Sequence, residues 1–290
     1  MSQADKLRKL LARPEILVMP GCYDAISARL IERAGFPVTF MGGFCVAAAR
    51  AGLPDTGLIS YAEMVDQGRN ICSAVSIPVL GDGDTGYGNA INVKRTVRGY
   101  AQAGFACVMI EDQVAPKRCG HTRGKQVVGR DEAFSRIRAA VDARDELRDG
   151  GADILIMART DANATDGIEE AIARAKAFQQ IGADISFLEA PKTEAEMRRY
   201  CADVPGPKMA NMVEQGDSPF LPPAKLAEIG YKIAVYPITL ILAGIRAMEE
   251  ALAKMKAGGG HPERLAEFAH LRDIVGFPDY YEAEKKYRAD

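Results

Sequence analysis

Residues 106–121 read ACVMIEDQVAPKRCGH, an apolar run of five residues followed by two carboxylates and a charged loop. An apolar run of this length predicts a buried strand, so Glu111 and Asp112 are expected where the strand ends and the loop begins. The loop places Cys119 directly after two cations and close to His121. Positive charge around a cysteine favours its thiolate or lets the thiol act as a tuned acid, whereas most cysteines are buried in apolar surroundings. We therefore predict that this thiol takes part in chemistry rather than in packing.

The same succession of a short apolar run and an amphipathic helical stretch repeats along most of the chain. The runs predict eight strands: Ile16–Pro20, Pro37–Met41, Ile77–Leu80, Ala106–Ile110, Ile154–Ala158, Ile185–Leu188, Lys208–Ala210 and Lys232–Val235. Eight strand-then-helix units of roughly thirty residues predict an α/β fold, a (β/α)8 TIM barrel. The alternative is a doubly wound open sheet. It is disfavoured because the glycine-rich stretch Gly81–Gly88 carries two aspartates where a dinucleotide pyrophosphate would bind.

Two segments lie outside the eight units. Leucines at helical spacing predict a short lid helix over Asp5–Arg13. After the eighth strand, a long helical pattern over Leu240–Ala257 leads to three glycines and a polar tail with two predicted helices. We therefore predict a barrel domain over residues 1–258 and a C-terminal helical tail over residues 259–290. Such an extension is easily exchanged between subunits, which makes a swapped oligomer an expectation.

Composition excludes several functional classes. The 290 residues carry a formal net charge of −2 without a block of like charge, so nucleic-acid binding is not expected. No apolar run approaches the length of a membrane span, and the first fifteen residues lack the apolar core of a secretory signal. The six cysteines are far apart without CxxC pairs, which predicts thiols in a reducing cytoplasm. With three histidines, a multi-histidine metal site is not expected.

Acidic residues follow the third and fourth predicted strands. In a barrel of this type the functional side chains lie at the carboxyl ends of the strands, which brings Asp82, Asp84 and Glu111 together. Clustered carboxylates repel one another unless a cation lies among them, and oxygen-only ligands suit a hard ion such as Mg²⁺ or Mn²⁺. Asp24 and Asp161 are interpreted instead as helix N-caps, where aspartate is favoured.

The other predicted strand ends carry groups suited to an anionic substrate. Arg159, the cation that directly follows the fifth strand, either pairs with Glu189 or grips a substrate carboxylate through two parallel hydrogen bonds, and it can do both. Gly42 and Gly43 offer backbone N–H groups to an anion after the second strand. Asn211 follows the seventh strand in the same way. These residues predict a small carboxylate as the substrate.

Six stretches carry a resemblance to the isocitrate lyase/phosphoenolpyruvate mutase superfamily along essentially the whole chain. They are Gly52–Asp55, Asp82–Asn89, Glu111–Gln113, Lys117–His121, Ala158–Asp161 and Ala210–Met212. The resemblance implies a Mg²⁺-dependent enzyme, a carbon–carbon bond lyase built on a (β/α)8 barrel. It also implies that the C-terminal helix is swapped between neighbours, usually within homotetramers.

The resemblance also implies roles for individual residues. Asp82 would ligate the metal, with Asp55, Asp84 and Glu111 holding it partly through waters. Cys119 would be the general acid, and His121 would tune or orient it. The residues implied for the substrate are Gly42, Gly43, Phe44, Gly120, Arg159, Glu189, Asn211 and Pro237. Cleavage next to a 2-hydroxy acid leaves a doubly charged enediolate, which a metal and a guanidinium stabilise and a thiol can protonate at neutral pH.

One departure from the superfamily pattern narrows the substrate. Methylisocitrate lyases usually place an arginine a few residues after the Tyr-Pro of strand eight, where it grips a third carboxylate, but residues 238–242 read ITLIL. This predicts a dicarboxylate, a substituted malate cleaved to pyruvate and a simple carboxylate. Phe44 stands where phosphonomutases tend to carry serine. An aromatic residue directly after Met41-Gly42-Gly43 resembles the dimethylmalate lyase branch. The open alternatives are methylisocitrate cleavage with another arginine such as Arg246, oxaloacetate hydrolysis or decarboxylation, and carboxyphosphonoenolpyruvate-type phosphonomutase chemistry.

Overall fold

The computed structural model describes residues 1–120, 124–258 and 265–288. Eight parallel strands close into a barrel in sequence order, with the last strand paired to the first. The strands are β1 (Leu17–Cys22), β2 (Thr39–Met41), β3 (Val79–Asp82), β4 (Cys107–Glu111), β5 (Leu155–Thr160), β6 (Ile185–Leu188), β7 (Lys208–Asn211) and β8 (Ile233–Tyr236). The predicted (β/α)8 barrel is confirmed.

Most strands extend one or two residues further toward their carboxyl ends than the apolar runs predict. Asp82 is still paired with Met109 of β4, and Glu111 is paired with Arg159 of β5. The apolar pattern stops before these polar residues, but the hydrogen-bonded ladder does not. Asp82, Glu111 and Arg159 are therefore carried by strands rather than by loops.

Thirteen α-helices are present in the described residues. They are α1 (Gln3–Leu11), α2 (Ala25–Arg33), α3 (Gly43–Val46), α4 (Tyr61–Ala74), α5 (Ala90–Ala103), α6 (Arg130–Asp149), α7 (Ala162–Thr165), α8 (Ile168–Ile181), α9 (Glu194–Asp203), α10 (Pro223–Ile229), α11 (Thr239–Lys256), α12 (Phe268–Ile274) and α13 (Phe277–Tyr287). Local sequence explains their ends. Asp24 caps α2 by accepting the Ser27 N–H at 2.7 Å, as predicted. Gly104 and Gly182 end α5 and α8 in the left-handed conformation. The short helices α3 and α7 are too brief to produce a periodic sequence pattern.

Apolar side chains of helix α1 close the barrel at the amino-terminal ends of its strands. Leu7 and Leu10 of α1 join the apolar cluster formed by the inward side chains of the strands. The helix is fixed there by Arg8, which pairs with Asp153 at 2.5 Å, and by Lys6, which donates to the Ser76 carbonyl at 2.6 Å. The predicted lid helix thus covers the end of the barrel opposite to the acidic strand ends.

The chain divides into two compact units, Met1–Thr239 and Leu240–Asp290. Within the second unit, α11 carries a stripe of exposed apolar side chains at helical spacing: Leu242, Ile245, Met248, Leu252 and Met255. The predicted domain boundary at residue 258 adjoins residues 259–264, which lie outside the described residues. That boundary, the swap and the homotetramer stay predictions. None of the helices in the described part of the chain is both long and apolar enough to cross a membrane.

Candidate active site

A cluster of buried carboxylates lies at the carboxyl ends of β3 and β4. Asp82 accepts the Gly43 N–H at 3.0 Å through one oxygen and the Asp84 N–H at 3.1 Å through the other. A side chain at Gly43 would place its Cβ 3.0 Å from the Asp82 carboxylate, a contact tight enough to push that carboxylate away. The Gly43 N–H was predicted to face a substrate anion. In this structure it donates instead to the Asp82 carboxylate. The cluster also contains Asp55 and Glu111, both buried.

Lys117 inserts its ammonium group into this acid cluster. The Nζ atom lies 2.6 Å from Asp55 Oδ1 and 2.9 Å from Asp84 Oδ1, and the side chain is 5% exposed. Burial alone would lower the pKa of Lys117, but the charges of the surrounding aspartates hold it well above its usual value. Burial also raises the pKa of Asp84, to about 6, although Lys117 opposes that shift. Sequence reasoning had placed the Lys117 charge around Cys119 and missed this insertion.

Arg159, at the end of β5, is surrounded by three carboxylates. It forms two parallel hydrogen bonds with Asp161 at 2.8 and 2.9 Å, and it lies 3.2 Å from Glu111 and 3.1 Å from Glu189. The predicted pairing with Glu189 is thus present in the structure. Asp161, however, makes no N-cap hydrogen bond, so its interpretation as a helix cap was wrong. The Asp161 carboxylate makes two charge-assisted hydrogen bonds with the buried Arg159 guanidinium, and these are stronger than a hydrogen bond to the first N–H groups of the four-residue helix α7.

The loop after β4 brings Cys119 and Gly120 over Arg159. Gly120 packs so tightly that a Cβ atom there would lie 2.5 Å from Glu189 Oε2 and 2.6 Å from Arg159 Nη2. Glu189 also accepts the Asn211 side-chain amide at 3.3 Å, which connects β6 to β7. Cys119 is half-buried and is not joined in a disulfide. His121, predicted to tune this thiol, lies outside the described residues.

These groups line a cavity of about 270 Å³ in the first unit. Its floor is apolar, formed by Met109, Phe187, Met209 and Val235. Each floor residue precedes a strand-end position by two residues, and alternate residues of a strand share one face. This two-residue spacing is visible in the sequence, but the strand-end positions alone do not predict the floor. The predicted substrate residues that lie on the cavity wall are Gly42, Gly43, Phe44, Gly120, Arg159, Glu189, Asn211 and Pro237. The described wall also includes Asp55, Asp82, Lys117 and Cys119. Asp84 and Glu111 do not line the cavity, but they contact the wall residues Lys117 and Arg159, respectively.

Comparison with known proteins adds an independent observation. The family model described as phosphoenolpyruvate phosphomutase matches residues 7–256. The chain belongs to this family. The predicted membership of the isocitrate lyase/phosphoenolpyruvate mutase superfamily, and with it the prediction of an enzyme, is confirmed.

Two curated members of this family show how much of the chain is shared. The 2,3-dimethylmalate lyase of Eubacterium barkeri is 41% identical over 290 residues, which cover 99% of each chain. The 2-methylisocitrate lyase of Aeropyrum pernix is 39% identical over 277 residues, which cover 94% of this chain and 87% of the other.

Two solved structures of the family resemble this chain over nearly its whole length. An oxaloacetate acetylhydrolase in complex with the inhibitor 3,3-difluorooxalacetate has a TM-score of 0.93 at 36% identity, covering 99% of this chain and 97% of the other. A phosphonopyruvate hydrolase in complex with oxalate and Mg²⁺ has a TM-score of 0.86 at 29% identity, covering 99% of each chain. The family therefore contains both lyases and hydrolases on this fold.

The acid cluster of this family member suits a divalent cation. The donors are carboxylate oxygens, which Mg²⁺ and Mn²⁺ prefer. Glu111 Oε1 is buried and has no hydrogen-bond partner among the described residues, and burial raises the pKa of Glu111 well above its usual value. The cluster holds four carboxylates, Asp55, Asp82, Asp84 and Glu111, against the two cations among the described residues that contact them, Lys117 and Arg159. In residues 1–120, 124–258 and 265–288 no three acidic, cysteine or histidine side chains already converge as a ligand set.

The tight packing of Gly120 leads to a testable expectation. We expect Gly120→Ala to lower kcat/KM by about a hundredfold, because the added methyl group overlaps the Glu189 carboxylate and the Arg159 guanidinium and displaces the peptide next to Cys119. The measurement is steady-state turnover of the substrate identified below. Gly129→Ala is the matched control, since a Cβ at Gly129 meets no atom within 4 Å. Equal losses in the two variants would contradict the overlap argument.

Proposed function

We propose that this chain is a Mg²⁺-dependent carbon–carbon bond lyase that cleaves a substituted malate to pyruvate and a simple carboxylate. The observation that carries the proposal is the position of the Cys119–Gly120 peptide against Arg159 and Glu189, above an apolar floor. A proton donor, a fixed guanidinium and a place for alkyl groups thus face one cavity. The 41% identity to a 2,3-dimethylmalate lyase over the whole chain supports this reading.

The reaction needs a base, an electron sink and an acid. The bond that breaks joins C2, which carries the hydroxyl group, to C3, which carries the second carboxylate as its substituent. The hydroxyl proton passes to a base, the C2 oxygen becomes the ketone of the 2-oxo acid, and the bonding electrons stay on the C3 fragment as an enediolate. The Cys119 thiol gives its proton to C3, and the resulting thiolate regains a proton from the base. Arg159 provides fixed positive charge next to Gly120, where it stabilises the enediolate without reorganising.

The acid cluster is proposed to hold the metal. Asp82 would ligate Mg²⁺ or Mn²⁺, with Asp55, Asp84 and Glu111 contributing partly through waters. When bound, the ion supplies electrostatic stabilisation to the anionic reactants. The unpartnered Glu111 oxygen supports an additional cation here, and burial, which raises the pKa values of Glu111 and Asp84, gives such a cation two carboxyl groups to stabilise as anions.

The charges of the cavity wall favour a dicarboxylate over a tricarboxylate. Among the described wall residues the cations are Lys117 and Arg159, and both already contact protein carboxylates. A third substrate carboxylate would enter the cavity without a cation of its own, which is costly in a buried site. Arg246, the alternative partner for that group, belongs to the second unit, where it donates to Glu250 at 2.8 Å. Its participation stays a prediction.

The test couples lactate dehydrogenase and NADH to a panel of malates. Each of 2,3-dimethylmalate, citramalate and 2-methylisocitrate is offered with Mg²⁺ and, in parallel, with EDTA. We expect pyruvate from dimethylmalate or citramalate in the presence of the metal, with a preference over methylisocitrate of about a hundredfold. Fast cleavage of methylisocitrate would show that the dicarboxylate argument is wrong. Undiminished turnover in EDTA would contradict the metal proposal.

Oxaloacetate hydrolysis is the second candidate. It is favoured by the TM-score of 0.93 to the oxaloacetate acetylhydrolase structure, which equals the score to a solved 2,3-dimethylmalate lyase. Its products are oxalate and acetate, which the pyruvate assay does not detect. Direct measurement of oxalate after incubation with oxaloacetate and Mg²⁺ separates the two activities, and release of oxalate without cleavage of any malate would favour the hydrolase.

A further inference from the structure

The peptide on the amino-terminal side of Cys119 is held by the side chain of Gln113. Gln113 Nε2 donates to the Arg118 carbonyl at 2.9 Å, and Gln113 Oε1 accepts the Arg118 N–H at 3.0 Å. One amide side chain thus satisfies both main-chain groups of the residue before the thiol. Gln113 is 1% exposed, so these hydrogen bonds form away from water and are costly to break.

The peptide on the other side is held by Lys125. Its ammonium group donates a short hydrogen bond to the Gly120 carbonyl and lies 3.5 Å from Asp161 Oδ1. The Lys125 side chain is 6% exposed, and an ammonium group buried to this degree needs such partners. Asp161 in turn makes the two-point contact with Arg159. Lys125 therefore connects the loop to the residue that orients the guanidinium.

We propose that Gln113 and Lys125 are positioning residues that fix the main chain on both sides of Cys119 and so set its place relative to Arg159. The inference rests on the proposed function, in which Cys119 is the acid. Between the two contacts, the Cys119 N–H itself donates to the Asp55 carbonyl at 3.1 Å. Three successive residues are thus held by three separate partners, a degree of fixation that packing of a surface loop does not require.

The base of the loop does not depend on these two side chains. Val114 donates to the Gln126 carbonyl at 2.8 Å, and Gln113 and Val127 form an antiparallel bridge. The Gln113 carbonyl also accepts from Arg136 at 2.7 Å. These contacts use main-chain groups of Gln113, Val114, Gln126 and Val127 and the side chain of Arg136, so replacing the side chains of Gln113 and Lys125 leaves them in place. The variants are therefore expected to fold.

The experiment compares Gln113→Met and Lys125→Met with two matched controls. Gln126→Met changes an exposed glutamine of the same loop, and Lys192→Met changes an exposed lysine near Lys125 on the same side of the barrel. Hydrogen–deuterium exchange is followed by mass spectrometry in the peptide that covers residues 114–120, without substrate. In the two test variants this peptide is expected to exchange roughly tenfold faster, since each loses hydrogen bonds that hold it. The kcat for malate cleavage is expected to fall by about a hundredfold, with a smaller change in KM. The controls are expected to match the wild type in both measurements.

The two readouts keep the inference separable from the proposed function. If the wild-type enzyme cleaves none of the malates, the proposed function fails, while unchanged exchange in both test variants would still overturn the positioning role. Faster exchange together with undiminished kcat would also overturn it, because the contacts would then be structural only. Equal effects in Lys192→Met and Lys125→Met would show that loss of a positive charge, rather than of the Gly120 contact, is responsible.

Discussion

Cys119→Ser is expected to lower kcat by about a thousandfold while leaving the proposed binding of Mg²⁺ unchanged. Serine keeps the shape of the side chain, but its hydroxyl group is a far weaker acid than a thiol, and general acid catalysis typically contributes a factor of this size. The main-chain contacts of the loop through Gln113 and Asp55 do not involve the Sγ atom, so the geometry of the site should survive.

The matched control is Cys72→Ser. Cys72 is a half-buried thiol of α4, and burial raises its pKa to about 12. We expect its substitution to leave kcat within about twofold of the wild type, as for most changes outside an active site. Turnover is measured with the pyruvate-coupled assay, and metal binding by calorimetry. Full turnover by the Cys119 variant would refute the assignment of the acid.

The second large effect is expected for Arg159→Met. The substitution leaves Glu111, Asp161 and Glu189 facing one another in a buried site without the guanidinium that they share. Removing one partner of a buried ionic group typically costs 3–5 kcal/mol, so we expect the free energy of unfolding to fall by about this amount. The kcat/KM is expected to fall by at least about a thousandfold, because the stabilisation of the enediolate is lost as well.

Two further variants separate charge from geometry at this position. Arg159→Lys keeps the positive charge but cannot make the two-point contact with Asp161, so it should recover part of the stability and little of the activity. Arg138→Met removes an exposed guanidinium from α6 and serves as the control for arginine loss. Stability is measured by urea unfolding. An Arg159→Met enzyme with wild-type stability would show that the three carboxylates do not depend on this cation.

The fold could be predicted from the sequence because each strand leaves its own local signal. Apolar runs bounded by glycines and polar residues locate all eight strands, and the count of eight decides for a closed barrel. The strand ends were less accurate, since Asp82, Glu111 and Asn211 continue the ladder although they break the apolar pattern. Hydrophobic periodicity reports burial in apolar surroundings rather than hydrogen bonding. The apolar pattern therefore ends at the first polar residue, although the strand continues.

The sequence predicts which residues form the candidate site better than it predicts which of them contact one another. The strand-end rule collected Asp82, Glu111 and Arg159 without any structural information. The rule cannot say which cation meets which acid, because it locates strand ends and not the directions of the side chains around them. Lys117 was assigned to the surroundings of the thiol but lies between Asp55 and Asp84, and Asp161 was interpreted as a cap but binds Arg159.

The placement of Asp82, Glu111 and Arg159 at the carboxyl ends of their strands has an evolutionary consequence. Positions held by the barrel itself are inherited with the barrel, whereas the loops above can lengthen, shorten or change sequence while the carboxylates and the guanidinium keep their spacing. A lineage built in this way can exchange one anionic substrate for another through a few loop substitutions. Directed evolution toward new substrates should therefore leave Asp82, Glu111 and Arg159 untouched and recover its beneficial changes among Val213, Gln215 and Asp217, which line the same cavity from a loop.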